Sequence, residues 1–285
     1  MAFRWSINPY RGCVHSCHYC FARRYHGFFD LNADEDFTSV IFAKVNAPEV
    51  LRLELSRRSW KREQVALGTA ADPYQPIEGR YRITRGILEA LRDFRTTVGL
   101  ITKGTLVVRD TDVLSAFSRR APATVNISVT TMDRGLWRKM EPGKPPPGKR
   151  LESIKRLTEA GVNAGVLLAP IVPGITASLE NLEEVVHAAA RHNARFVSAA
   201  VLYLKEGVKE HFQRFLMQSY PHLLPPIPPH VSRRLHPKGL LPPGPRARRR
   251  APAALWHPTP SHERRGLPAA GRRTAACPRA VNAGF

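Results

Sequence analysis

Two apolar rhythms alternate along the chain as far as about residue 220. Short runs of apolar residues read as strands over 5–8, 64–68, 97–102, 124–130, 163–169 and 195–203. Between them, apolar residues recur at three- and four-residue intervals, the period of one helix face, over 48–58, 84–94, 110–119, 149–160, 178–192 and 206–219. In 48–58 the face is Val50, Leu51 and Leu55, behind a Pro48 placed in the first turn, where its missing N–H costs nothing. In 84–94 it is Ile87, Leu88 and Leu91, and Gly161 stands where the helix over 149–160 needs a left-handed C-cap. Strand–helix repeats with right-handed crossovers build a parallel sheet, open or closed into a barrel. The fold class expected is therefore α/β, a partial (βα)6 TIM-like barrel over residues 1–220.

Beyond Tyr220 the rhythm stops. Residues 221–285 hold 14 Pro, 11 Arg, 10 Ala and 5 Gly, and Arg246-Ala247-Arg248-Arg249-Arg250 is a charge run with no apolar period. Such a composition buries too little surface to offset chain entropy, so 221–285 is expected to be a disordered basic tail, or a stretch translated out of frame. This stretch carries 12 Lys and Arg against one Glu, more than half of the chain's net +21, so the expected barrel is only moderately basic. A basic surface favours polyanions without naming one, which leaves nucleic acid a candidate partner. No apolar run approaches the roughly 18 residues that span a bilayer, and the opening Met-Ala-Phe-Arg-Trp-Ser contains no signal-like apolar stretch; no membrane partner and a cytoplasmic location are expected.

The chemistry concentrates in Cys13, Cys17 and Cys20, spaced Cys-x3-Cys-x2-Cys on the loop after the first strand. Three near neighbours cannot pair off as disulfides, and the fourth cysteine, Cys277, is remote. Three thiolates can hold three corners of an iron–sulfur cluster, leaving one iron without a protein ligand. Alternatively, they can bind zinc with His15, His18 or His26 as the fourth ligand, in a basic nucleic-acid-binding protein without catalysis.

The loop, read as Asn8-Pro9-Tyr10-Arg11-Gly12-Cys13, then His15, then Tyr19-Cys20-Phe21-Ala22-Arg23, resembles the signature of the radical S-adenosylmethionine (SAM) superfamily, in its branch around spore photoproduct lyase. The resemblance implies a [4Fe–4S] cluster on Cys13, Cys17 and Cys20, and reductive cleavage of SAM to a 5′-deoxyadenosyl radical. An external electron donor of flavodoxin or ferredoxin type is implied with it. Tyr19, just before the third cysteine, corresponds to the residue near the SAM adenine. Thr102-Lys103 matches the family's lysine for the SAM carboxylate, Ser128 its strand serine, and Asp72 an acid close to the cofactor. Ala71 departs from the pattern, because relatives often place a hydroxyl residue before this aspartate. A second departure bears on the reaction: spore photoproduct lyase returns a hydrogen atom from a cysteine near the end of its second strand, and this chain has Gly68-Thr69 there. Repair of spore photoproduct is disfavoured, and the residue that quenches a radical stays unassigned.

Overall fold

A computed structural model describes residues 3–205, 207–224 and 280–282. In chain order its strands are β1 (Trp5–Ile7), β2 (Tyr10–Arg11), β3 (Val40–Ala43), β4 (Val65–Leu67), β5 (Val98–Thr102), β6 (Ala123–Ser128), β7 (Asn163–Ile171), β8 (Val197–Val201) and β9 (Ala280–Asn282). The α-helices are α1 (Asp36–Ser39), α2 (Ala47–Leu55), α3 (Glu78–Tyr81), α4 (Ile83–Asp93), α5 (Thr111–Ser115), α6 (Arg134–Met140), α7 (Pro147–Glu159), α8 (Leu179–Arg191) and α9 (Lys209–Ser219). Six strands form one sheet in the order β1-β4-β5-β6-β7-β8, every neighbouring pair parallel. With helices between successive strands, this is the expected partial (βα)6 barrel. β2, β3 and β9 form a separate antiparallel ribbon.

The sheet is built by alternation. On β6, Val125 and Ile127 join the apolar core, while Asn126 and Ser128 turn to the opposite face. That core takes Val98 and Leu100 from β5, Ile87, Leu88 and Leu91 from α4, and Leu151, Ile154 and Leu157 from α7. Each such side chain, taken fully out of water, stabilises the fold by about 1.5–3 kcal/mol before chain entropy is set against it.

Some elements differ from the sequence reading. The helix expected over 110–119 shortens to α5, preceded by a 3₁₀ turn, Thr105–Asp110. Asp110 is fully buried there, its carboxylate held by Arg109, Arg85 and the Tyr74 hydroxyl. α6, the ribbon and a 3₁₀ helix at Phe21–Phe29 were not legible as elements. The last helix packs unusually: Phe212 and Phe215 of α9 lie against Cys17, Tyr19 and Met140, while Val197 and Val201 of the edge strand β8 stay exposed. Most of the expected disordered or out-of-frame tail, Cys277 included, lies outside the described residues; Pro221–Leu223 form a 3₁₀ turn and β9 pairs with β3. Among the described residues no helix is long and apolar enough to cross a membrane.

Candidate active site

The cysteine loop leaves β2 through a backbone position that only glycine fits. Gly12 has φ +78°, and a Cβ there would lie 2.5 Å from the Val40 carbonyl oxygen of the adjoining strand. The loop is pinned from both sides. Cys13 N–H donates to the Phe37 carbonyl at 2.9 Å, Val14 N–H to Gln75 Oε1 at 3.2 Å, and Gln75 Nε2 to the Gly12 carbonyl at 3.1 Å. Arg23 is buried, and its guanidinium donates to the carbonyls of Cys17, Ala33 and Asp34. Cys13 and Cys17 are buried, Cys20 is half-buried, and all three are free thiols.

Strand ends meet this loop, as they do on the C-terminal rim of a barrel. Lys103, just past β5, carries its Nζ 5.4 Å from the Tyr19 ring centroid. Asp72, after β4, lies beneath it as a buried hub. Its carboxylate accepts from Thr102 Oγ1 at 2.5 Å, Lys103 N–H at 2.8 Å, Tyr74 N–H at 3.0 Å and Lys144 Nζ at 3.1 Å, with His15 Nδ1 at 3.3 Å. The Tyr19 hydroxyl donates to Glu141, Glu141 pairs with Arg150, and Arg150 donates to the Ser128 carbonyl at 3.0 Å. A continuous chain of contacts thus joins Asp72, Lys103, Tyr19 and Ser128, the four residues matched to SAM contacts.

Three of the connecting residues, Glu141, Lys144 and Arg150, escaped the sequence reading. They belong to the segment after α6 and to α7. Asp133 marked this region, since its side chain accepts from the Leu136 N–H as the N-cap of α6.

The electrostatics follow from burial. Burial pushes the Cys13 thiol up to about 12, and the Lys144 charge works against that rise. Cys17 is pushed up for the same reason, again opposed by Lys144. Burial by itself would raise the Glu141 and Asp72 carboxyls. For Glu141 the charges of Arg150 and Lys103 outweigh burial; for Asp72 the charge of Lys144 and the adjacent His15 do so, and both carboxyls end below their ordinary range.

The donor set suits an iron–sulfur cluster: three soft sulfur ligands on one loop, rather than a mixture of imidazole and carboxylate. The histidines that a zinc site would need are turned elsewhere. His15 contacts Lys144 and Asp72, His18 Nδ1 lies 3.3 Å from His211 Nε2, and His26 Nε2 lies 3.1 Å from the Val40 carbonyl.

Comparison with known proteins agrees with this geometry. The family model of the radical SAM superfamily matches residues 7–212. An uncharacterised protein of Mycobacterium tuberculosis is 39% identical over 224 residues, covering 79% of this chain and 66% of the relative. An uncharacterised protein of Methanocaldococcus jannaschii is 27% identical over 218 residues, 76% of this chain and 77% of that one. The chain thus spans just under two thirds of the length of the mycobacterial relative. Among solved structures, a spore photoproduct lyase mutant with bound AdoMet and dinucleoside spore photoproduct superposes with a TM-score of 0.58 at 17% identity, over 77% of this chain and 61% of that one. SuiB of Streptococcus suis follows at 0.51 and 16%, over 76% of this chain and 47% of that one, so at these identities both speak to the fold alone. Fold, cysteine loop and family model agree: the chain belongs to the radical SAM superfamily.

Proposed function

We propose that this protein is a radical SAM enzyme whose Cys13, Cys17 and Cys20 hold a [4Fe–4S] cluster. One observation carries the reading: three free thiols share one pinned loop, and the strand-end Lys103 stands over Tyr19, the residue before the third of them. When bound, the cluster supplies the electron, drawn from a flavodoxin- or ferredoxin-type donor, that cleaves SAM to a 5′-deoxyadenosyl radical.

The chain's own residues do the placing. Lys103 offers an ammonium to the SAM carboxylate, a charge-assisted contact in a partly dry site. Its backbone is fixed by the bond from its N–H to Asp72, so Asp72 acts by holding the strand end. Ser128 faces the same side of the sheet as Asn126, on the rim between Lys103 and β7. Tyr19 forms the wall beside the third cysteine, tethered through its hydroxyl to Glu141.

The reaction differs from spore photoproduct repair at the hydrogen-return step. Thr69 stands near the end of β4 and shares hydrogen bonds with Asn8 at 3.1 and 3.3 Å, and no cysteine lies between Cys20 and Cys277. A hydroxyl is a much poorer hydrogen-atom donor than a thiol. Repair of spore photoproduct itself is thereby disfavoured, and the moderately basic barrel leaves a polyanion such as nucleic acid within the reading.

Anaerobic reconstitution with iron and sulfide tests the proposal. The wild type is expected to take up a full cluster, to show an electron paramagnetic resonance signal on reduction that SAM perturbs, and to cleave SAM. The Cys17→Ala variant is expected to lose all three. A Cys17→Ala protein that keeps a full cluster and SAM cleavage refutes the reading.

A further inference from the structure

From Met140, the last residue of α6, to Lys144 the chain lies along the cysteine loop. The Met140 carbonyl accepts from His18 N–H at 3.3 Å, and Glu141 accepts from Tyr19. Gly143 comes so close that a Cβ there would lie 2.7 Å from the Val14 carbonyl oxygen and 3.1 Å from the His15 backbone. Lys144 then turns its side chain inward, almost wholly removed from solvent, against His15 Nδ1 and 3.1 Å from Asp72. His15 is midway between Cys13 and Cys17, so a buried ammonium is docked against the middle of the loop.

An isolated buried cation is costly, and it persists only where negative charge faces it. Asp72 provides one such charge, but it is already shared among three other donors: the Thr102 hydroxyl and the backbone N–H groups of Lys103 and Tyr74. Two other buried cations stand in the region: Arg150 is committed to Glu141 and to the carbonyls of Ser128 and Pro145, and Arg23, on the far side of the loop, to the carbonyls of Cys17, Ala33 and Asp34. Lys103 stands over Tyr19. The Cys13–Cys17 half of the loop therefore has the Lys144 ammonium against its middle residue, His15, with Gly143 packed on the backbone of Val14 and His15.

We propose that Lys144 is a charge-compensating residue of the cysteine loop: its buried ammonium stabilises the reduced state of the cluster held there and raises its reduction potential. The proposal rests on the cluster-binding reading above. Net charge and hydrogen bonding around the sulfurs are among the main determinants of such potentials. In the step concerned the cluster gains one electron, a low-potential reductant loses one, and Lys144 keeps its proton throughout.

The experiment reconstitutes wild type, K144M and K144R anaerobically and titrates each with dithionite in the absence of SAM, following the resonance signal of the reduced cluster. K144M is expected to shift the reduced-to-oxidised ratio at a given potential at least tenfold toward oxidised, a midpoint 59 mV or more lower for one electron. K144R, which keeps the charge, is expected to stay near the wild type. A fully loaded K144M with the wild-type midpoint overturns the proposal. So does a K144M whose SAM-free midpoint is unchanged while its SAM dissociation constant rises, because Lys144 is then a SAM contact. If K144M fails to load, recovery of loading and midpoint in K144R supports the charge role, and failure in both variants assigns Lys144 to packing and overturns it. A wild type that takes up no iron and sulfide refutes the cluster reading itself, a result distinct from all of these.

Discussion

Replacing Arg150 by Met keeps an unbranched stem of similar reach and deletes the guanidinium. In the native chain that group is fully buried and donates to the Glu141 carboxylate, to the Pro145 carbonyl at 2.8 Å and to the Ser128 carbonyl at 3.0 Å. The variant strands a buried carboxylate and two carbonyls. Breaking one partner out of a buried ion pair costs about 3–5 kcal/mol, and an orphaned buried acceptor on the order of 1 kcal/mol more. Glu141 keeps the Tyr19 hydroxyl, and the Met stem still fills space, so a loss of about 4 kcal/mol is expected. That is a large part of the roughly 5–15 kcal/mol that holds a domain together, and it lowers Tm by roughly 8–16 °C. Urea unfolding of wild type, R150M, E141Q and the double variant measures it directly. Because the two side chains act as one unit, the double variant is expected to cost less than the sum of the singles, with a coupling of about 2 kcal/mol. An R150M protein within about 1 kcal/mol of the wild type refutes the argument that this pair braces the site.

The remaining expectations follow from the same geometry. The folded-state pKa of Glu141 is depressed, so its contribution to stability is present above the ordinary unfolded value of about 4.3 and is lost as pH falls through the folded value. Urea midpoints measured between about pH 3 and pH 7 should fall on acidification in the wild type and fall less in R150M; parallel acid limbs contradict this. Lys103→Ala removes the ammonium offered to the SAM carboxylate and should weaken SAM binding roughly 10- to 150-fold by calorimetry while leaving cluster content unchanged. An unaltered dissociation constant removes Lys103 from the site. Gly143→Ala drives a methyl group against the Val14 carbonyl, which should lower stability by about 1–3 kcal/mol and reduce iron loading, and a variant with native Tm and loading argues against the close approach.

The barrel was legible because its signals are local. A two-residue period in 124–130 and a helix-face period in 149–160 are written within a dozen residues, and β6 and α7 form where those patterns lie. Cys13, Cys17 and Cys20 were legible for the same reason, since their spacing holds them on one loop whatever else the chain does. α6 was harder to see, because seven residues carry barely two turns of periodicity. Residues 140–144 carry no period at all, and their meaning is entirely a matter of what they touch.

The sequence by itself determined the alternating βα order and a triple-thiol loop after the first strand, along with the polar residues waiting at the strand ends. Only the tertiary structure decided which distant residues close around that loop. Lys144 meets His15 across a separation of 129 residues, and Glu141 meets Tyr19 across 122. A local pattern shows which face of an element seeks the core. It cannot say which buried charge will face which other one, because that depends on how β6, α6 and α7 return the chain over the mouth of the barrel.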